Sequence, residues 1–541
     1  MAEFNLICEP WIPCVDQDGN RIEHGIRETL LKAHELVEIF DESPLVTLAL
    51  HRLLLAVLYR ALEGPNDFRG WVDLFQMNKF PEARISDYLR TWEQRFYLFH
   101  DRYPFYQMAN FRTRKGEVPV TRLANELSSG NNPTLFDHNV DGQKNIWGFA
   151  RATRYLVAAQ AFSLGFGKSG SAIIDGQEEE LPYNADAMCL RGGSVYLQGC
   201  SLFETLLINL IPIPKDDYSQ PPWEMDNPHK FRDKKLDSDK RKTYGARGIV
   251  DCYTWQSRLI LLLKDGNGVS HMYFGQGRSA DKNFIDPMKA YRLSEKKRRV
   301  PLSIVPNKAS WRDIHAILSV PRPDSNEKRP ECLNLAARLR NEGRLGPEYR
   351  FNMHVVGIAT ETGKAGKFNL WRHDRVPVCA FLLESLDLQK RLGQMINEAE
   401  NASKELLRRT ERVAKLYLSH GGRQPLPDDV KGLANSIDPT YSFWSRLEAH
   451  FIRLMQDLPN DWDFQEDDWK PDDQQYACRE WRESVMREAR KALEESLHAL
   501  GSTARAIQAV AQVSTHFNQS DLVSPAQRIR RQETKRRVGY A

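Results

Sequence analysis

The chain is poor in the residues that build metal and redox centres. Its 541 residues include only eight cysteines, at 8, 14, 189, 200, 252, 332, 379 and 478. No two form a Cys-x-x-Cys pair, and no Cys/His spacing suits a zinc site. Scattered cysteines in a chain this long predict reduced thiols and a cytoplasmic protein. Long apolar runs are short of a membrane span, and the Met1-Ala-Glu-Phe-Asn-Leu-Ile start lacks the basic-then-apolar order of a signal peptide. An excess of one charge is missing too. The net charge is +4, so any nucleic-acid contact must come from local patches rather than a global field.

Catalytic patterns are also absent. There is no His-x-x-x-His pair and no Gly-x-Ser-x-Gly elbow. Asp137 and His138 are adjacent in a polar loop, a poor arrangement for an acid/base pair. His373-Asp374 lacks the further histidines of a metal phosphohydrolase and suits a polar strand end. The expectation is a binding protein without cofactor or metal.

What is present is enough apolar sequence, 41%, to build large cores, beside 27% charged residues. The length suggests two to four domains. Phe4–Val15 and Arg21–Glu23 flank an Asp16–Asn20 turn and predict a hairpin. Ile26 to Phe40 is expected to be helical. Ser43-Pro44 caps a helix over Leu45–Leu62 that is apolar nearly all round, the mark of a buried helix. Two more helices are expected near 68–76 and 82–99. The aromatic run Phe96–Gln107 favours core over a stacking platform.

Strands are expected at 194–197, 255–263, 270–274, 300–305 and 349–359, with Lys264–Gly268 as a hairpin turn. Helices are expected at 311–318 and 332–342. The stretch 230–247 holds eight Lys/Arg against three Asp, and Lys296–Arg299 is a basic turn. Beyond about Val376 glycine thins and helical periodicity takes over, in 381–418, around Trp444–Leu454, in Trp481–Leu500 and in 502–517. The expected fold class is α+β. A large mixed N-terminal α/β domain (1–375) precedes a C-terminal antiparallel four-helix bundle (376–541) with a basic tail.

The most informative stretch is 133–171. A polar loop with Phe136, Asp137 and His138 leads into an apolar helix over 147–162 and then Gly165-Phe-Gly-Lys-Ser-Gly170. Glycines there permit sharp turns and close approach, and Lys168 favours an anionic partner. Gly167-Lys168-Ser169 matches the end of a phosphate-binding P-loop. The glycine that motif requires upstream is Phe162, and a helix precedes the loop instead of a strand.

Taken in order, several segments resemble the CasA family, the large subunit of the type I-E CRISPR surveillance complex, Cascade. They are Phe4-Asn-Leu-Ile-Cys-Glu-Pro-Trp-Ile-Pro, the apolar helix after Pro44, His100-Asp-Arg-Tyr-Pro-Phe-Tyr-Gln, the Phe136 loop, Gly165-Phe-Gly-Lys-Ser-Gly, Trp311 and Trp371-Arg-His-Asp. The resemblance implies a non-catalytic antiviral subunit. Its partners would be double-stranded target DNA, the guide RNA, the other Cascade subunits and the helicase-nuclease of the system. Such subunits read the protospacer-adjacent motif (PAM), promote duplex opening and R-loop formation, and offer a docking surface, while guide pairing reads the sequence. Carried over by residue, Gly165, Phe166, Gly167 and Lys168 form the loop along the minor groove. Phe136, Asp137 and His138 meet the motif region and the guide-RNA end. Arg278, Lys282 and Lys289 are candidates for a lysine finger, and Thr362, Lys364 and Lys367 for a wedge tip. A zinc-like cysteine cluster of some relatives is represented only by Cys252, so no zinc is expected. A docking scaffold without sequence readout and a phosphate-binding ATPase are the other readings.

Overall fold

A computed structural model describes residues 3–126, 145–165, 167–215, 217, 219–235, 241–321, 325–360, 368–419 and 424–523. The chain forms two compact units, Met1–Leu345 with Arg350–Arg375, and Gly346–Tyr349 with Val376–Ala541.

The first unit mixes helices with several small sheets. Ile12–Asp16 pairs antiparallel with Arg21–His24 on one side and Leu36–Ile39 on the other. The expected 26–40 helix is therefore a helix of six residues, Ile26–Leu31, followed by a strand. Leu36 and Ile39 fill the core from that strand, which completes the sheet. The expected 82–99 helix likewise ends at Thr91, and Tyr97–Phe99 pairs with Glu3–Asn5.

Helix Pro44–Leu62 runs through the middle of this unit with nearly every side chain buried. Its length and apolarity would suit a membrane span, but its surroundings are protein. Arg52 breaks the apolar run. It is 1% exposed, donates to the Asp286 carboxylate at 2.8 Å and to the Cys252 carbonyl at 3.0 Å, and lies over the Tyr253 ring. Burial works to raise the Asp286 pKa, and the Arg52 and Lys289 charges overcome it and hold the carboxyl below its usual value. A buried charge of this kind is tolerable only when paired.

Arg258–Asp265 and Gly268–Gln276 form the expected hairpin, and the second strand also pairs with Val118–Pro119 and Trp147–Gly148. The helix after that point begins at Phe149, because Trp147 is taken by the sheet. A second sheet orders Gln177–Glu180, Ser171–Ile174 and Arg112–Thr113, and a third orders Ser194–Gln198, Arg350–Thr360 and Phe368–Cys379. In the third, His354 and His373 face each other at 2.8 Å and His354 reaches Gln198 at 2.9 Å, so His373 serves a polar strand network.

In the second unit the 380–418 region is two helices, Ala380–Glu384 and Leu386–Leu418, the latter 33 residues long. Thr440–Asp457 and Tyr476–His498 are the other long helices, while Pro427–Ser436 and Ala504–Ala511 are short. The helical stretch expected over 502–517 is confined to eight residues. Leu392, Phe451, Trp481, Val485 and Leu493 are buried at helical spacing, and the Trp481 indole donates to the Met395 carbonyl at 2.9 Å.

Candidate nucleic-acid interface

The glycine loop is built as a braced return. Helix Phe149–Phe162 ends at Ser163, and residues 163–165 and 167–170 run beside 181–187. Ala187 N–H donates to Ser163 O, Asn184 N–H to Gly167 O and Leu181 N–H to Gly170 O, at 3.0–3.1 Å. Arg258, wholly buried, clamps both strands of the return. One guanidinium nitrogen donates to Leu164 O at 2.7 Å and Ala185 O at 2.9 Å. The Ser169 hydroxyl donates to the Asn184 side-chain oxygen at 2.9 Å and accepts from Gln276 N–H at 3.1 Å.

The two leading glycines serve different ends. A Cβ at Gly165 would lie 2.3 Å from the Asp186 nitrogen, and Gly165 N–H already donates to the Asp186 carboxylate at 3.1 Å. Glycine is required there by internal packing. Gly167 has φ +79°, a left-handed conformation that disfavours a side chain, yet a Cβ would meet nothing closer than 3.9 Å. It is exposed at the turn, so the absence of a Cβ leaves open backbone for another molecule. Beside it Lys168 is exposed, with its ammonium 5.9 Å from the ring of Tyr183, itself 61% exposed. Lys115 Nζ donates to the Lys168 carbonyl. Cation, ring and open backbone thus share one surface, the combination that suits phosphate and base contact. Tyr183 was not legible as a partner of Lys168, since only the return brings them together.

The segment order also settles the P-loop reading. Here helix precedes the loop and strand Ser171–Ile174 follows it. A phosphate-binding P-loop needs a strand before and a helix after, so that helix N–H groups cap the phosphates. The ATPase reading fails on that geometry.

The finger candidates separate by burial. Arg278 is 4% exposed, paired with Asp251 at 2.8 Å and stacked 3.6 Å from the Trp255 ring centroid. Lys289 is equally buried, donating to Met188 O and Arg191 O at 2.7 Å each. Both are internal braces and correct the expectation that they are surface fingers. Lys282 is exposed. A basic hairpin stands elsewhere: Tyr291–Leu293 pairs with Arg299–Pro301, and the exposed turn carries Lys296, Lys297 and Arg298. The charge run of that turn is visible in sequence, but the pairing of two three-residue strands around it is not.

The basic stretch 230–247 is less free than its composition suggests. Arg232 pairs with Glu179 at 2.7 Å and Lys235 with Glu180 at 3.0 Å, while Arg114 pairs with Glu178 at 2.8 Å. The Arg114 pairing holds the Glu178 carboxyl below its usual value, and Lys235 does the same for Glu180. The carboxylates of strand Gln177–Glu180 partly neutralise the run. Phe136, Asp137, His138, Phe166, Thr362, Lys364 and Lys367 lie outside the described residues, although strands Arg350–Thr360 and Phe368–Cys379 flank the wedge candidates. Among the described residues no three His, Cys, Asp or Glu side chains gather as a metal site.

The fold resembles that of a group of CRISPR-associated proteins. The family model for CRISPR-associated protein Cse1 matches residues 5–492. CasA/Cse1 of Thermus thermophilus is 32% identical over 523 residues, covering 96% of this chain and 97% of that protein. Its solved structure superposes with a TM-score of 0.74 over 95% of this chain and 97% of that one, at 29% identity. Thermobifida fusca Cse1 gives 0.74 at 25% identity, covering 96% and 98%. A chain in a structure described as a CRISPR RNA-guided surveillance complex shares the fold at 0.66 and 18% identity, covering 97% and 100%. The chain belongs to the CasA/Cse1 family of CRISPR-associated proteins.

Proposed function

We propose that this chain is the non-catalytic DNA-recognition subunit of a cytoplasmic, RNA-guided type I-E Cascade complex. It reads a short protospacer-adjacent motif in double-stranded DNA, helps open the duplex for guide pairing and R-loop formation, and helps recruit the helicase-nuclease. The observation that carries the reading is the braced loop. Gly167 presents open backbone in a left-handed turn beside an exposed Lys168 and Tyr183. A backbone held rigid in advance loses little entropy on entering a narrow minor groove.

Within this reading Gly165, Phe166, Gly167 and Lys168 line the groove, and Phe136, Asp137 and His138 meet the guide end. Lys282 is the finger, with the Lys296–Arg298 turn as a second phosphate contact. The 361–367 segment, with Thr362, Lys364 and Lys367, is the wedge, inserting sterically between base steps at a cost of a few kcal/mol. Residues 1–375 carry the DNA contacts. The helices of 376–541, arranged as an antiparallel four-helix bundle, form the protein-docking part. The test is target binding by the assembled complex with Lys168→Ala and Lys282→Ala variants. Each is expected to weaken binding to a duplex with the intact motif and to lower the salt dependence by about one counterion. Unchanged affinity and salt slope in both variants would remove these residues from the interface.

A further inference from the structure

The short strands Lys234–Lys235 and Arg241–Lys242 pair antiparallel, and the register sets Lys234 opposite Lys242 and Lys235 opposite Arg241. Like charges directly opposed across such a pair destabilise it. Lys235 is compensated by Glu180 at 3.0 Å. Lys234 and Lys242 are exposed, and among the described residues neither has a carboxylate partner. Surface lysines lower their energy by standing apart or pairing with acids. Here the ladder holds two of them together, a cost that brings the fold no contact in return.

A third unpaired lysine joins them through two half-buried rings. Lys242 Nζ lies 5.4 Å from the Tyr244 ring, Tyr244 meets Phe231 edge-on at 5.7 Å, and Lys230 Nζ lies 5.8 Å from Phe231. The rings attract these cations without cancelling their charge. The carboxylates around the group are already engaged. Glu179 pairs with Arg232, Asp251 with Arg278 and Arg247, and Asp226 with Arg95. Asp281 accepts from Ala246 N–H and Asn283 N–H, and buried Asp233 accepts from Ser279 N–H. Residues 236–240, which add two Asp and one Lys, lie outside the described residues and are no part of the site.

The group adjoins the glycine loop. Glu180, which anchors Lys235, stands opposite Ser171 in the neighbouring sheet, and Ser171 directly follows Gly170. We infer that Lys230, Lys234 and Lys242 bind consecutive phosphates of a DNA strand that runs on from the glycine loop. The inference rests on the DNA-binding reading of that loop. Lysine meets phosphate as a point charge, so the site adds affinity and register and reads no sequence. The phosphates can belong to the duplex flanking the motif or to the strand displaced when the duplex opens.

The experiment is target binding by the guide-loaded complex carrying the double variant Lys234→Ala with Lys242→Ala, at two salt concentrations. Three substrates are compared: the full target duplex, one trimmed at the edge of the motif, and one lacking the displaced strand. On the full duplex the affinity is expected to fall about tenfold and the salt dependence to weaken by about two counterions. Lys230→Ala should weaken it by about one. The double variant should melt no lower than the parent, because it removes an opposed charge pair. A defect that vanishes on the trimmed duplex assigns the phosphates to the flank, and one that vanishes without the displaced strand assigns them to that strand. A defect equal on all three assigns them to the motif duplex itself. Affinity and salt slope unchanged in the folded double variant overturn the inference, as does a lowered melting temperature with normal binding. Motif reading is judged separately, by the parent on intact and scrambled motifs. A parent that binds both alike, beside variants that still lose salt dependence, contradicts motif reading and leaves this site standing.

Discussion

Replacing the two leading glycines of the loop should separate folding from DNA binding. At Gly165 an alanine Cβ falls 2.3 Å from the Asp186 nitrogen and 2.6 Å from the Ala185 carbonyl carbon. Both are backbone atoms that cannot swing aside. Overpacking of this kind costs roughly 1–3 kcal/mol or more, so Gly165→Ala should melt well below the parent. At Gly167 the nearest atom to a new Cβ is 3.9 Å away, and only the φ of +79° opposes a side chain. That costs roughly 1–2 kcal/mol for alanine and less for asparagine, which visits the left-handed region readily. Gly167→Asn should therefore fold with a melting temperature close to the parent. On the proposed reading its side chain stands where DNA approaches, and target affinity in the assembled complex should fall by tenfold or more, about 1.4 kcal/mol. Urea denaturation of each variant, paired with a duplex-binding titration, reads both quantities. A folded Gly167→Asn variant that binds target normally refutes the loop assignment. A Gly165→Ala variant as stable as the parent refutes the packing argument.

Other outcomes follow from the same geometry. Arg52→Leu leaves the buried Asp286 carboxylate unpaired and should cost about 3–5 kcal/mol; Arg52→Leu with Asp286→Leu should recover much of it in a urea titration. Burial depresses His51 and His229 from 6.5 to about 4. Between those values the unfolded chain binds more protons, so stability is full above about pH 6.5 and falls as the pH drops toward 4, by up to roughly 3 kcal/mol per histidine. Urea midpoints that stay level from pH 7 to about 4.5 would contradict this. Tyr183→Ala should weaken binding to the target duplex with little change in melting temperature, because the ring is mostly exposed; a large loss of stability would place the ring in the core instead.

The apolar helix after Pro44 was legible because apolar residues fill every turn, and the Lys264–Gly268 hairpin because turn residues separate two apolar runs. The 26–40 segment misled because a short strand can borrow its hydrogen bonds from a distant partner, here Cys14 and its neighbours. Arg278 and Lys289 carry the charge of a surface finger, but the carboxylate of Asp251 and the carbonyls of Met188 and Arg191 draw them inside. Sequence places no such partners near them. The glycine loop showed its composition in sequence, while its brace did not: Arg258 and Asn184 lie far along the chain from the residues they hold. Carboxylates Glu178, Glu179 and Glu180 were likewise invisible as the counterions of Arg114, Arg232 and Lys235.

Reading a motif in duplex DNA is the proposed role of this chain. The most direct measurement is target-duplex binding by a guide-loaded Cascade core, with and without the chain, on duplexes with an intact or scrambled adjacent motif and at two salt concentrations. A motif-reading chain tightens binding only when the motif is intact. Equal help to both duplexes, or no help to either, would contradict it and leave the chain as a non-specific clamp or a docking scaffold.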